Sequence, residues 1–152
     1  MNNHLMIFEN PEFGAVRSIL IDGDPWFVAA DVCKALEIEK TNRALSRLDD
    51  DEKGAHSVST PGGRQRMSII SESGLYSLIL GSRKPEARAF KRWITHEVIP
   101  SIRKHGAYMT DALLTRMDEY PELISEYIGK LRAENAKANA AREALKKAEA
   151  EN

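Results

Sequence analysis

Two tight-turn signals constrain this chain more than any other feature. Asp22-Gly23 stands between apolar runs, and Pro61-Gly62-Gly63 stands between two alternating segments. A two-residue Asp-Gly or Gly-Gly connection is the strongest short-range cue for an antiparallel hairpin, because it supplies the positive φ angles that such turns need. Residues 5–9, 15–21 and 26–28 therefore read as the strands of a three-stranded meander over residues 5–28. Residues 56–60 and 65–70 read as a second β unit. The segments between and after them carry apolar residues at helical spacing instead. Val32, Ala35 and Leu36 follow Asp31, a carboxylate placed to complement a helix start. Residues 42–48 form a further short helix. Ser71 caps a helix over residues 71–80 that stops at Gly81. Pro85 suits the first turn of the next helix, and Pro100 must kink or restart it for want of an N–H. The expected fold class is α+β: two small antiparallel β units packed with several short helices, followed by a C-terminal helical, weakly coiled-coil tail.

The boundary of that tail is compositional. Residues 1–108 make one domain. Residues 109–152 are rich in Ala, Glu and Lys, and hold no proline after Pro121. Ile124, Ile128, Leu131, Asn135, Ala138, Arg142, Leu145 and Glu149 follow alternating four-and-three spacing, the mark of a heptad. Its apolar members, Ile124, Ile128, Leu131, Ala138 and Leu145, are the expected seam of a homo-oligomer, a dimer or higher. The pattern stops partway at Glu151-Asn152, from which we expect a longer protein with a second domain absent from this chain.

Charge is distributed unevenly. Residues 83–105 hold seven Lys or Arg against two Asp or Glu, whereas residues 1–82 hold eight against twelve. The basic stretch is thus the first candidate for binding an anionic partner. On a helical wheel Arg88, Arg92, Thr95 and Arg103 share one face, and Ala87, Phe90, Ile94 and Val98 the other. Arg83 and Lys84 precede this helix, and Lys91 and Lys104 lie along it. Guanidinium groups suit phosphates through their planar fork. A solvated, merely solubilising face is the plainer reading of the same residues. Arg64 and Arg66 follow the Gly-Gly tip and point to one side of the hairpin, as a groove-reading ribbon or as ordinary surface arginines. Arg43 and Arg47 project from the short helix at 42–48. With the helix at Asp31 this outlines a helix-turn-helix, but Glu37 and Ile38 occupy the place of the usual turn glycine. Two ordinary packed helices fit the short second segment better.

Other classes have little support. The single cysteine, Cys33, excludes an internal disulfide and reads as a small buried residue. His4, His56, His96 and His105 lack ligand spacing, and neither a phosphate-cradling glycine loop nor a nucleophile elbow is present. No metal, no cofactor and no enzymatic activity are expected. No apolar run suits a membrane span and the start has no secretory pattern, so a cytoplasmic location is expected, that of the bacterial host if the chain is phage-encoded.

Several spaced motifs then occur in one order: Val28-Ala29-Ala30-Asp31-Val32, Thr60-Pro61-Gly62-Gly63, Ser71-Glu72-Ser73-Gly74-Leu75-Tyr76-Ser77-Leu78, Ser82-Arg83-Lys84-Pro85-Glu86-Ala87, Phe90-Lys91-Arg92-Trp93 and Val98-Ile99-Pro100-Ser101-Ile102-Arg103-Lys104-His105-Gly106. Over residues 5–108 the chain resembles the Bro-N domain, found in baculovirus Bro proteins and bacteriophage antirepressors. The resemblance implies a compact α+β domain that binds rather than catalyses. The implied function is a phage-type antirepressor that binds a repressor protein and relieves repression. The alternatives are direct, largely sequence-tolerant DNA binding through the basic helix, and an oligomerisation scaffold for a missing effector domain. The expected partners are a phage repressor protein, DNA, or both.

Overall fold

The computed structural model describes residues 16–151. The first expected strand, residues 5–9, lies outside them. Within them the chain forms β1 (Ser18–Ile21), β2 (Asp24–Val28), α1 (Ala29–Ala35), α2 (Thr41–Leu45), a short 3₁₀ turn (Asp50–Glu52), β3 (Lys53–Thr60), β4 (Gly63–Ser71), α3 (Glu72–Leu80), α4 (Pro85–Trp93), a π-helical turn (Ile94–Val98), α5 (Ile99–His105), α6 (Asp111–Glu119) and α7 (Glu122–Ala150). The class is α+β. The chain divides into two compact units, one reaching Lys104 and one beginning at His105.

Both turn signals make hairpins. Ile21 pairs with Asp24, which leaves Asp22-Gly23 as a two-residue loop, and both loop residues have positive φ, 52° and 83°. Thr60 pairs with Gly63, closing the β3–β4 hairpin. The two β units expected from sequence then join. β2 runs antiparallel to β4, with Phe27 opposite Ile70 and Val28 opposite Ile69, so one four-stranded sheet results in the order β1-β2-β4-β3.

α1 and α3 pack on one face of this sheet, and α4 packs on α3. Phe27 and Ile70 face a core built from Val32 and Cys33 of α1, Leu75, Leu78 and Ile79 of α3, and Ala87 of α4. Cys33 is buried as expected, and desolvation pushes its thiol pKa up. Ser71 does cap α3: its Oγ accepts from Gly74 N at 3.1 Å. Pro85 occupies the first turn of α4. Pro100 neither ends nor sharply breaks the helix. A wide turn over Ile94–Val98 precedes it, so the carbonyls that lose a donor at Pro100 are spaced differently, and α5 continues to Gly106 at φ +77°.

The link between α1 and α2 shows why its glycine could be missing. Glu37 N donates to Lys34 O at 3.1 Å and Ile38 N to Cys33 O at 2.7 Å. This is the Schellman closure of a helix, with Glu37 at φ +58° where glycine is usual. The backbone bonds and the half-buried Ile38 hold a side-chain-bearing residue in a region that disfavours it.

One ion pair ties the start of the sheet to α1. Arg17 donates to the Asp31 carboxylate from its backbone N at 2.9 Å, from Nε at 2.8 Å and from Nη2 at 3.0 Å. The Arg17 side-chain bond holds Asp31 below the usual carboxylate pKa, against the opposing effect of burial. A carboxylate depressed in the folded state stabilises above its unfolded pKa, and that stability is lost as pH falls through the folded value. Asp31→Asn is therefore expected to melt below the parent protein at pH 7. The gap should begin to narrow once pH falls under about 4, where the unfolded carboxylate takes up its proton before the folded one does. Thermal melts by circular dichroism at pH 7, 5 and 3 check this; a gap that stays constant with pH contradicts it.

Candidate nucleic-acid interface

The basic stretch folds as the sequence pattern requires. Ala87 is fully buried and Phe90 packs against the core, so α4 turns Arg88, Lys91 and Arg92 outward. An aromatic row anchors its inner side. Tyr76 stacks on Phe90 at 6.0 Å between ring centroids, and Phe90 meets Trp93 at 5.7 Å. The Tyr76 hydroxyl donates to Glu72 Oε1 at 2.6 Å, and burial together with that carboxylate pushes the phenol pKa far up. The Thr95 hydroxyl folds back onto Lys91 O at 2.9 Å.

Beside α4 lies an open groove of about 860 Å³, lined by Arg83, Arg88, Lys91, Arg92, Thr95 and His96 among others, with no carboxylate among the described residues of its lining. A second groove, of about 780 Å³, adjoins it. Its basic residues are Lys40, Arg43, Arg47, Arg83 and Lys84, its acidic ones Glu37 and Glu39. Leu36, Ile38, Leu48 and Leu78 give it an apolar base. Sequence reasoning separated Arg43 and Arg47 from the basic stretch; the structure places them across one loop from it. None of Arg43, Arg47, Arg83, Arg88, Lys91 or Arg92 forms an ion pair with a described residue. Unpaired guanidinium groups on an open face keep their full capacity for a phosphate or carboxylate.

The remaining candidates are placed differently. Lys84 Nζ donates to Ala35 O at 2.7 Å, so this cation also closes the C-terminal end of α1. Arg64 and Arg66 lie exposed on β4 near the hairpin tip and line neither groove; Arg64 Nη2 donates along the hairpin to Ser57 O at 3.5 Å. Arg103 and Lys104 are exposed on α5, beyond the π-helical turn, and line neither groove. On α7, Ile124, Ile128, Leu131 and Leu145 are exposed and Ala138 is half-buried. Sequence reasoning missed Lys40, Glu37 and Glu39. Lys40 was within reach: it precedes Arg43 and Arg47 at i, i+3, i+7 spacing, although only Arg43 lies within α2 itself. Among the described residues no cluster of His, Cys, Asp or Glu is placed to hold a metal, and no helix is long and apolar enough to cross a membrane.

Comparison with known proteins places this geometry in a family. The model of the BRO family N-terminal domain matches residues 15–100, more than half of the chain. An uncharacterized protein of Haemophilus influenzae is 40% identical over 89 residues, covering 57% of this chain and 43% of that protein. The putative Bro-N domain-containing protein 289L of Invertebrate iridescent virus 6 is 33% identical over 110 residues, covering 60% of this chain and 26% of that protein. The uncharacterized Bro-N domain-containing protein L2 of Acanthamoeba polyphaga mimivirus is 28% identical over 122 residues, covering 71% and 50%. The aligned regions thus span half or less of the length of these relatives. No solved structure matches the chain.

Proposed function

The chain belongs to the BRO family through its N-terminal domain, and on that premise we propose that it is a regulatory protein that binds duplex DNA through the cationic side of α4. One observation carries this reading: among the described residues, Arg83, Arg88, Lys91 and Arg92 border a groove without a carboxylate, and none of the four forms an ion pair. Phosphates are the ligands such a surface fits. Each contact releases condensed counterions, so affinity is sequence-tolerant and falls steeply with salt.

The test is fluorescence anisotropy with a labelled random-sequence duplex across a salt series. The parent chain is expected to bind at low salt and to lose affinity with a steep logarithmic slope. Arg88→Glu with Arg92→Glu should weaken binding at least about tenfold and flatten the slope by about two, as for two lost phosphate contacts. An unchanged slope in the double variant removes α4 from the interface. No binding at low salt removes the DNA reading.

A second reading has its own support. The apolar base of the second groove offers a protein side chain what it does not offer a phosphate. Binding of a repressor protein there, with relief of repression, is the antirepressor role. It is tested by adding the protein in excess to a purified repressor on its operator; a repressor that stays bound sinks it.

A further inference from the structure

The two grooves share a wall. Gly81, Ser82, Arg83 and Pro85 line both. The loop between α3 and α4 is thus a ridge with a furrow on either side, and Arg83 stands exposed on it. Lys84 secures the root of the ridge to the end of α1 through Ala35 O. The outer walls belong to different helices. Arg43 and Arg47 flank the first furrow from α2 and the turn after it, and Arg88 and Arg92 flank the second from α4.

Duplex DNA presents the complementary relief, two lines of phosphates on either side of a groove. A single strand has one such line and fills one furrow. We propose that this face straddles duplex DNA: the ridge enters a groove with Arg83 between the strands, Arg43 and Arg47 hold one phosphate strand, and Arg88 and Arg92 hold the other. The proposal rests on the DNA reading above and adds to it a binding role for α2 and a requirement for two strands. It also assigns a part to Glu37. This residue keeps a left-handed backbone at φ +58° and, with Glu39, brings a carboxylate to the first furrow, whereas the described residues of the second include none. That carboxylate weakens the grip of α2 on phosphate, so the α4 furrow holds the tighter strand.

The experiment compares a labelled duplex of about two helical turns with one of its strands alone. Arg43→Glu with Arg47→Glu is expected to weaken duplex binding about tenfold or more and to flatten its salt slope by about two, while changing single-strand binding little. Glu37→Gln is expected to tighten duplex binding about two- to fivefold, a gain that misfolding cannot imitate. Wild-type duplex affinity in both the α2 double variant and Glu37→Gln, with Arg88→Glu/Arg92→Glu still impaired, overturns the straddle and leaves α4 binding intact. Equal losses on duplex and single strand overturn it as well, in favour of one continuous phosphate track. A parent chain that binds no duplex at low salt removes both readings together.

Discussion

Alanine at Gly74 is expected to lower the melting temperature of the chain by about 2–12 °C. An added Cβ would lie 2.8 Å from the backbone oxygen of Glu52, 3.2 Å from Glu52 Cβ and 3.3 Å from Leu48 Cδ1. The closest of these atoms is backbone and cannot rotate away. The turn that carries it is held at both ends: Asp49 N donates to Glu52 Oε1 at 2.9 Å, and the chain passes directly into β3. Either α3 or this turn must shift, and α3 lies over the core with Leu75 and Ile79 fully buried. Overpacking of that kind costs about 1–3 kcal/mol, and for a chain of this size each kcal/mol moves the midpoint by about 2–4 °C. Gly129→Ala is the control. Nothing lies within 4 Å of its added Cβ, and it sits in the interior of α7. There alanine is favoured over glycine by about 1 kcal/mol. An unchanged midpoint for Gly74→Ala, read by circular dichroism or calorimetry, would mean that the Asp50–Glu52 turn yields freely.

Ile70→Ala is the second large effect. Ile70 is 0% exposed and sits on β4, opposite Phe27 of β2 on one side and Lys53 of β3 on the other. It is the point where both hairpins and the helical layer meet. Truncation to alanine leaves a void that neighbours on three elements cannot fill together, and such changes cost about 2–5 kcal/mol. Ile70→Val should cost only about 1 kcal/mol, since one methylene is lost. Urea unfolding checks both, with the midpoint falling and the slope unchanged. A loss under about 1 kcal/mol for the alanine variant would show that this face of the sheet is not where the stability of the unit resides.

Much of this architecture was readable from local chemistry. Asp22-Gly23, Ser71 and Pro85 each act on neighbours within a few residues, and each produced the element expected of it. What escaped was non-local or disguised. No local signal announces that β2 pairs with β4, because that contact joins segments more than forty residues apart. A comparable separation along the chain hid the approach of Arg43 and Arg47 to Arg83. The α1–α2 turn was read, but Glu37 disguised how it closes, since the left-handed residue is not the glycine a reader looks for. The Arg17–Asp31 pair was invisible because its arginine lies in a stretch read only as strand. The basic face of α4 was legible in full, since a single helix carries its own periodicity. The register of Arg103 was open from the sequence, because Pro100 interrupts the pattern; the residue lies beyond the π-helical turn and does not line the groove of α4.

That interruption has an evolutionary side. A π-helical turn holds an extra residue per turn, and in an α-helix one residue of insertion rotates everything beyond it by about 100°. Placed between Trp93 and Ile99, the wide turn works as a joint in the reading frame of surfaces. Selection acting on the face of α4 does not dictate which residues α5 turns in the same direction. Changes at Arg103 or Lys104 are therefore expected to leave the groove of α4 undisturbed, and sequence change in this stretch should follow two separate rhythms rather than one.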